Sequence, residues 1–119
     1  MKNQYFLKDK KISLVAQRTI LDEYGAPYNG YCYIAENIWA YTRQLSQEQK
    51  LESIQLGDNE TRLFVLNFRE DLKLYDIIKY KDKFFSITRI DTKDDYRTEL
   101  FVYCKDTDEP EDIQRIDTP

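Results

Sequence analysis

Hydrophobic and polar positions alternate along most of this chain, and alternation marks strands with one buried face. Ile12, Leu14 and Ala16 alternate with Ser13, Val15 and Gln17, which predicts a first strand over residues 11–19. Residues 22–30 include Gly25, Pro27, Asn29 and Gly30 and read as a broad hairpin loop. A second strand is predicted over residues 31–42, carrying Tyr31, Tyr33, Ile34, Ile38, Trp39 and Tyr41. Glu36-Asn37 interrupts its alternation, so a bend or bulge is expected there.

The pattern then changes. Leu45 to Asn59 is polar, rich in Gln and Glu, and poor in strand formers. Ser46 and Gln49 fit a capping box, Leu51 and Ile54 are spaced i, i+3, and Gly57 is placed to stop a helix. A short helix over 46–56 is predicted. Its apolar face is thin, and an isolated helix of this length is marginal in water.

Strands resume at residues 61–69, where Leu63-Phe64-Val65-Leu66 is apolar on both faces. Burial on both sides explains this, and so does an oligomer contact on the outer face. Ile77–Tyr80 is a short strand, Lys81-Asp82-Lys83 a tight turn, and Phe84–Ile90 its hairpin partner. The last strand is predicted over Tyr96–Lys105, with Leu100, Val102 and Cys104 on one face and Phe101 and Tyr103 on the other. Six strands with mostly short connections predict an all-β fold: a small antiparallel β-barrel with one short helix between the second and third strands. Closure is favoured because it removes exposed strand edges. Trp39, Ile77, Tyr80, Phe85 and Ile87 are read as core anchors, with an interface role as the second reading of Trp39.

A chain of 119 residues is one domain's worth. Its charge is uneven. Residues 1–11 hold four lysines and one aspartate, +3, and residues 106–119 hold six acids and one arginine, −5. With a net charge of −4, the middle is left at −2 (−4 − 3 + 5), so there is no basic stripe for duplex DNA. The expected division is a basic arm over 1–10, a barrel domain over 11–105 and a loose acidic tail over 106–119.

The chemistry present is sparse. With no histidine, the Ser-His-Asp and Cys-His arrangements and most zinc sites are excluded. Cys32 and Cys104 fall in predicted strands and read as free core thiols of a reducing compartment. The acid pairs Asp22/Glu23, Glu70/Asp71 and Asp94/Asp95 fall in loops and read as turn formers. No phosphate-binding glycine loop occurs. No leader, membrane span, metal, cofactor or catalytic site is expected.

The order of these features is informative where no single one is. Asp22-Glu23-Tyr24-Gly25 is followed by Trp39-Ala40, then by Leu45-Ser46-Gln47-Glu48-Gln49, then by a strand ending Leu66-Asn67-Phe68-Arg69. The series closes on a hairpin with Asp76, Ile78, Tyr80, Asp82-Lys83, Phe85, Ile87 and Ile90. Over residues 11–105 this resembles the phage head–tail joining family, the head closure or stopper proteins of long-tailed phages. Asp82 stands where that family has glycine.

The resemblance implies a structural protein of the virion neck, made in the host cytoplasm and not an enzyme. It implies a homo-oligomeric ring on assembly, between a portal adaptor above and a tail protein below, and allows a monomeric subunit when free. The ring closes the DNA channel, meets packaged DNA without reading its bases, and docks the tail. In that family the segment between the second and third strands helps plug the channel. The matching stretch here holds Leu45, Ser46, Gln47, Glu48, Gln49, Leu51, Ile54 and Asn59. A tail-completion or tail-terminator protein, and a single-strand nucleic-acid barrel of the OB type, remain the alternatives.

Overall fold

The computed structural model describes residues 7–45, 60–92 and 98–115. These form β1 (Lys10–Leu21), β2 (Pro27–Gln44), β3 (Arg62–Asn67), β4 (Ile77–Tyr80), β5 (Lys83–Asp91), β6 (Glu99–Thr107) and β7 (Gln114–Arg115). Six of them close into an antiparallel barrel in the order β1-β4-β5-β6-β3-β2, with β2 pairing back onto β1. No helix occurs among the described residues, and the helix predicted over 46–56 lies outside them.

The alternation sorts side chains as strand geometry requires. Ile12 and Leu14 of β1, Ala40 of β2, Phe64 and Leu66 of β3, Ile78 and Tyr80 of β4, Phe85 and Ile87 of β5, and Leu100, Val102 and Cys104 of β6 share one buried cluster. The Phe64 ring is at its centre, edge-on to Tyr80 at 6.0 Å and to Phe85 at 5.4 Å between centroids. Such pairs contribute beyond the area they bury.

The barrel's other face has two smaller apolar patches. Leu63 and Val65 join Phe101 and Leu45, with Tyr41 and Tyr103 against them. Val15, Ile77 and Phe84 form the other, with Tyr31, Tyr33 and Ile113 against it. The doubly apolar run Leu63–Leu66 is therefore buried on both sides within one chain.

Irregularities bend the barrel. Ile12 faces Ile38 and Leu14 faces Ala35, so Glu36 and Asn37 together oppose Ser13 alone. Asn37 takes φ 57°, and the interruption expected at Glu36-Asn37 is this bulge. A second shift leaves Ile34 extra, between Leu14 facing Ala35 and Val15 facing Tyr33, and a third falls at Thr88, between Ile87 facing Cys104 and Arg89 facing Tyr103.

Trp39 is not a core anchor; it is 52% exposed, and the Lys11 ammonium lies 5.0 Å from its ring centroid. Its neighbours Ile38 and Ala40 pack in the barrel core, which leaves Trp39 on the outer side. The other four proposed anchors, Ile77, Tyr80, Phe85 and Ile87, are buried. Ile77 is in the outer patch rather than the barrel core.

The first hairpin is longer than its sequence indicated. The Asp22 carboxylate accepts the amides of Tyr24 and Ala26 at 2.8 Å, and Gly25 takes φ 81°. This tight loop lets pairing continue to Leu21 opposite Pro27. β1 pairs with β4 only over Ser13–Val15, and β2 with β3 only over Ala40–Gln44. The outer part of the hairpin therefore projects as a two-stranded arm. Leu21, Tyr24 and Tyr28 are exposed near its tip.

The tail also differs from expectation. β6 runs to Thr107, past the boundary expected at residue 105, and β7 pairs in parallel with Cys32 and Tyr33 of β2. Ile113 supplies the reason: it is an apolar residue among acids, and it packs against the Val15, Ile77 and Phe84 patch.

Candidate assembly surface

Because the strands run antiparallel, the connections fall at two opposite ends. The β1–β2 arm leaves from one end. The stretch between β2 and β3 leaves from the other, beside the β4–β5 turn and the end of β6.

The two ends of that stretch are pinned. The Leu45 amide donates to the Thr61 carbonyl at 3.0 Å, and the Thr61 amide to the Cys104 carbonyl at 2.8 Å. Leu45 is buried against Leu63, Val65 and Phe101. On the returning side the Glu60 carboxylate is almost wholly buried. It accepts from the Thr88 hydroxyl at 2.8 Å and from the Arg89 guanidinium at 3.1 Å. The Arg89 guanidinium in turn lies over the Tyr103 ring, 3.9 Å from its centroid, so a cation–π contact holds it as well as the ion pair. A buried carboxylate is tolerated only with such compensation. The stretch thus departs from and returns to fixed points on the barrel wall.

Of the residues proposed for the plug segment, Leu45 is described and forms this base. Ser46, Gln47, Glu48, Gln49, Leu51, Ile54 and Asn59 lie outside the described residues. Glu60, Thr88 and Arg89 were not singled out from sequence. Their contact joins two segments distant in sequence, and Glu60 had no local signal beyond an acid next to a strand.

The motif residues prove largely architectural. Asp22 and Gly25 make the arm's turn. Arg69 forks onto Asp71, Nε to Oδ1 at 2.8 Å and Nη2 to Oδ2 at 2.6 Å, which holds the Asp71 carboxyl below its ordinary range. Asp76 accepts the Lys73 amide at 2.9 Å, yet burial pushes its carboxyl up. Lys81 and Asp82 both take positive φ, 51° and 62°, the geometry of a two-residue hairpin turn. Asp94 and Asp95 lie outside the described residues.

Cys32 and Cys104 are both buried free thiols. Burial, with the Glu60 charge adding to it, raises the Cys104 thiol well above its ordinary range and keeps it protonated. Among the described residues, no group of three or more Cys, Asp or Glu is placed to hold a metal ion. Nor is any helix there long and apolar enough to cross a membrane. The surface grooves are open. One is lined by Asp82, Lys83 and Phe85 with Asp106 and Asp108, and another lies between the arm and the C-terminal strand.

No family model and no curated protein matches the sequence. Among solved structures, the chain is similar to the solution structure of protein SF1141 from Shigella flexneri 2a. The TM-score is 0.62 at 19% identity, over 82% of this chain and 90% of that one. This is a likeness of fold. A chain from the virion of a native gene transfer agent particle also aligns, with TM-score 0.44 and 11% identity, over 78% of this chain and 89% of that one.

Proposed function

We propose that this protein is a structural component of the phage neck, a head closure protein without catalytic activity. In this reading it forms a ring below the portal adaptor, gates the DNA channel and docks the tail. The observation that carries the reading is the placement of the resemblance on the barrel. The motif series falls in order on the arm turn, β2, the end of β3 and the β4–β5 hairpin. Within it, the stretch matching the plug segment springs from one barrel end, between the pinned residues Leu45 and Glu60. A rigid base is what a channel-closing element needs, because the barrel then sets where the element points.

The test is a phage deleted for the gene, viewed by electron microscopy with nuclease protection of packaged DNA. Separate heads and tails with leaking genomes are expected, and intact joined particles would refute the reading. Protein found on isolated tails rather than on tailless heads would favour a tail-completion role. Within the segment, Leu51→Asp with Ile54→Asp is expected to leave the barrel's melting unchanged and to reduce DNA retention. Normal retention in that double variant removes the plug role.

A further inference from the structure

We propose that copies of this chain join by exchanging the C-terminal strand, so that residues 113–115 of one copy occupy on its neighbour the seat they occupy within their own chain here. The proposal rests on the ring-forming reading above and names the segment that links the subunits.

The seat is a formed site with a visible occupant. Ile113 packs, with Tyr31 and Tyr33, against Val15, Ile77 and Phe84. The strand that follows pairs in parallel register, Gln114 opposite Cys32 and Arg115 opposite Tyr33. A second copy carries the identical strand, so exchange keeps every one of these contacts and sacrifices none.

Three features make the contact exchangeable. Among the described residues the pairing covers Gln114 and Arg115, and it is parallel, the weaker ladder geometry. The linker from Asp108 to Asp112 is polar and mostly exposed, contains Pro110, and ends on Asp112 at φ 51°. A short, stiff linker with a residue in the left-handed region favours the extended, exchanged form. Beside the seat, among the described residues, no strand pairs with the outer edge of β2 over Tyr28–Tyr31. There a groove of about 410 Å³ opens between Tyr28, Tyr31 and the tail residues Glu111 and Gln114, room for an incoming strand. Donation to the next copy is a head-to-tail contact, the kind that closes into rings.

Gln114→Cys in the full chain supplies the test. It sets a new thiol opposite the natural Cys32, at the Cα spacing of neighbouring strands, which lies within disulfide range. The variant is oxidised over a range of concentrations, run on non-reducing gels, and its mass followed by light scattering. Closure within the chain is expected in dilute solution. A ladder of covalent dimers and larger species is expected once the mass rises. Loss of those oligomers is expected for Ile113→Asp, with a melting curve that stays cooperative.

Oligomers whose disulfide stays within each chain overturn the exchange and leave the ring reading standing. Failure to cross-link in any form overturns the seat itself. Persistence of the oligomers in Ile113→Asp also overturns the proposal, as does a chain that remains monomeric at every concentration. In that last case the head closure reading is judged separately, by the particles of the deletion phage.

Discussion

At the scale of single residues, the buried Glu60 carboxylate is the most demanding group in the wall. Arg89 neutralises it and is itself held over the Tyr103 ring. Arg89→Met keeps much of the side-chain volume but removes the counter-charge. It is expected to lower stability by about 2–4 kcal/mol, since removing one partner of a buried pair leaves the other uncompensated. Urea denaturation measures this.

Two aspartates give opposite pH signatures. Asp76 has its folded pKa raised by burial, so its contribution favours folding at low pH. That contribution is lost as pH rises from the ordinary carboxylate range through the raised value. Asp71, held down by Arg69, contributes above its ordinary pKa and loses that contribution as pH falls through the lowered value. Asp76→Asn keeps an acceptor for the Lys73 amide and is expected to remove the first slope. Stability curves of the two proteins then converge at acid pH and separate, variant above wild type, toward neutrality.

Among the elements, the β4–β5 hairpin shows how closely local sequence and local geometry agree. Its inward positions Ile78, Tyr80, Phe85 and Ile87 fill the barrel, and Lys81 and Asp82 turn with positive φ. Asp82 tolerates that region less well than glycine. Asp82→Gly is expected to stabilise the protein by about 0.5–1 kcal/mol, read as a higher denaturant midpoint with an unchanged m-value. Ile87→Ala, within the same hairpin, is expected to cost about 2–4 kcal/mol through the cavity it leaves.

The strands were legible for the same reason. Each alternates, and each turn has its own residues. β2 was legible only in part. The bulge at Glu36-Asn37 could be anticipated, but the further shift at Ile34 could not, and the side Trp39 faces depends on both. The length of the arm was hidden because Pro27 and Gly30 read as loop residues. The Asp22 carboxylate, by closing the turn early, made them strand.

For the molecule as a whole, the arm makes the shape long. Its extents are 58 × 30 × 27 Å, and its radius of gyration of 15.5 Å exceeds the roughly 13.5 Å of a compact chain this size. Both thiols lie within the folded body, at 2% and 0% exposure. Maleimide labelling of the native protein is therefore expected to be negligible and to become complete in denaturant. Fast native labelling of Cys104 would mean that the barrel opens near Glu60. Labelling confined to Cys32 would mean that the C-terminal strand leaves its seat.

The sequence by itself determined the all-β class, the strand count of the barrel, the inward residues of β4 to β6 and the absence of histidine chemistry. Those follow from local alternation, turn residues and composition, which need no knowledge of neighbours. Only the tertiary structure decided that Trp39 faces out, that Glu60 meets Arg89, that Leu63 and Val65 are covered within the chain, and that Ile113 ties the tail to β2. Each of these depends on register across strands distant in sequence, and a one-residue difference in register reverses which side of the wall a residue occupies.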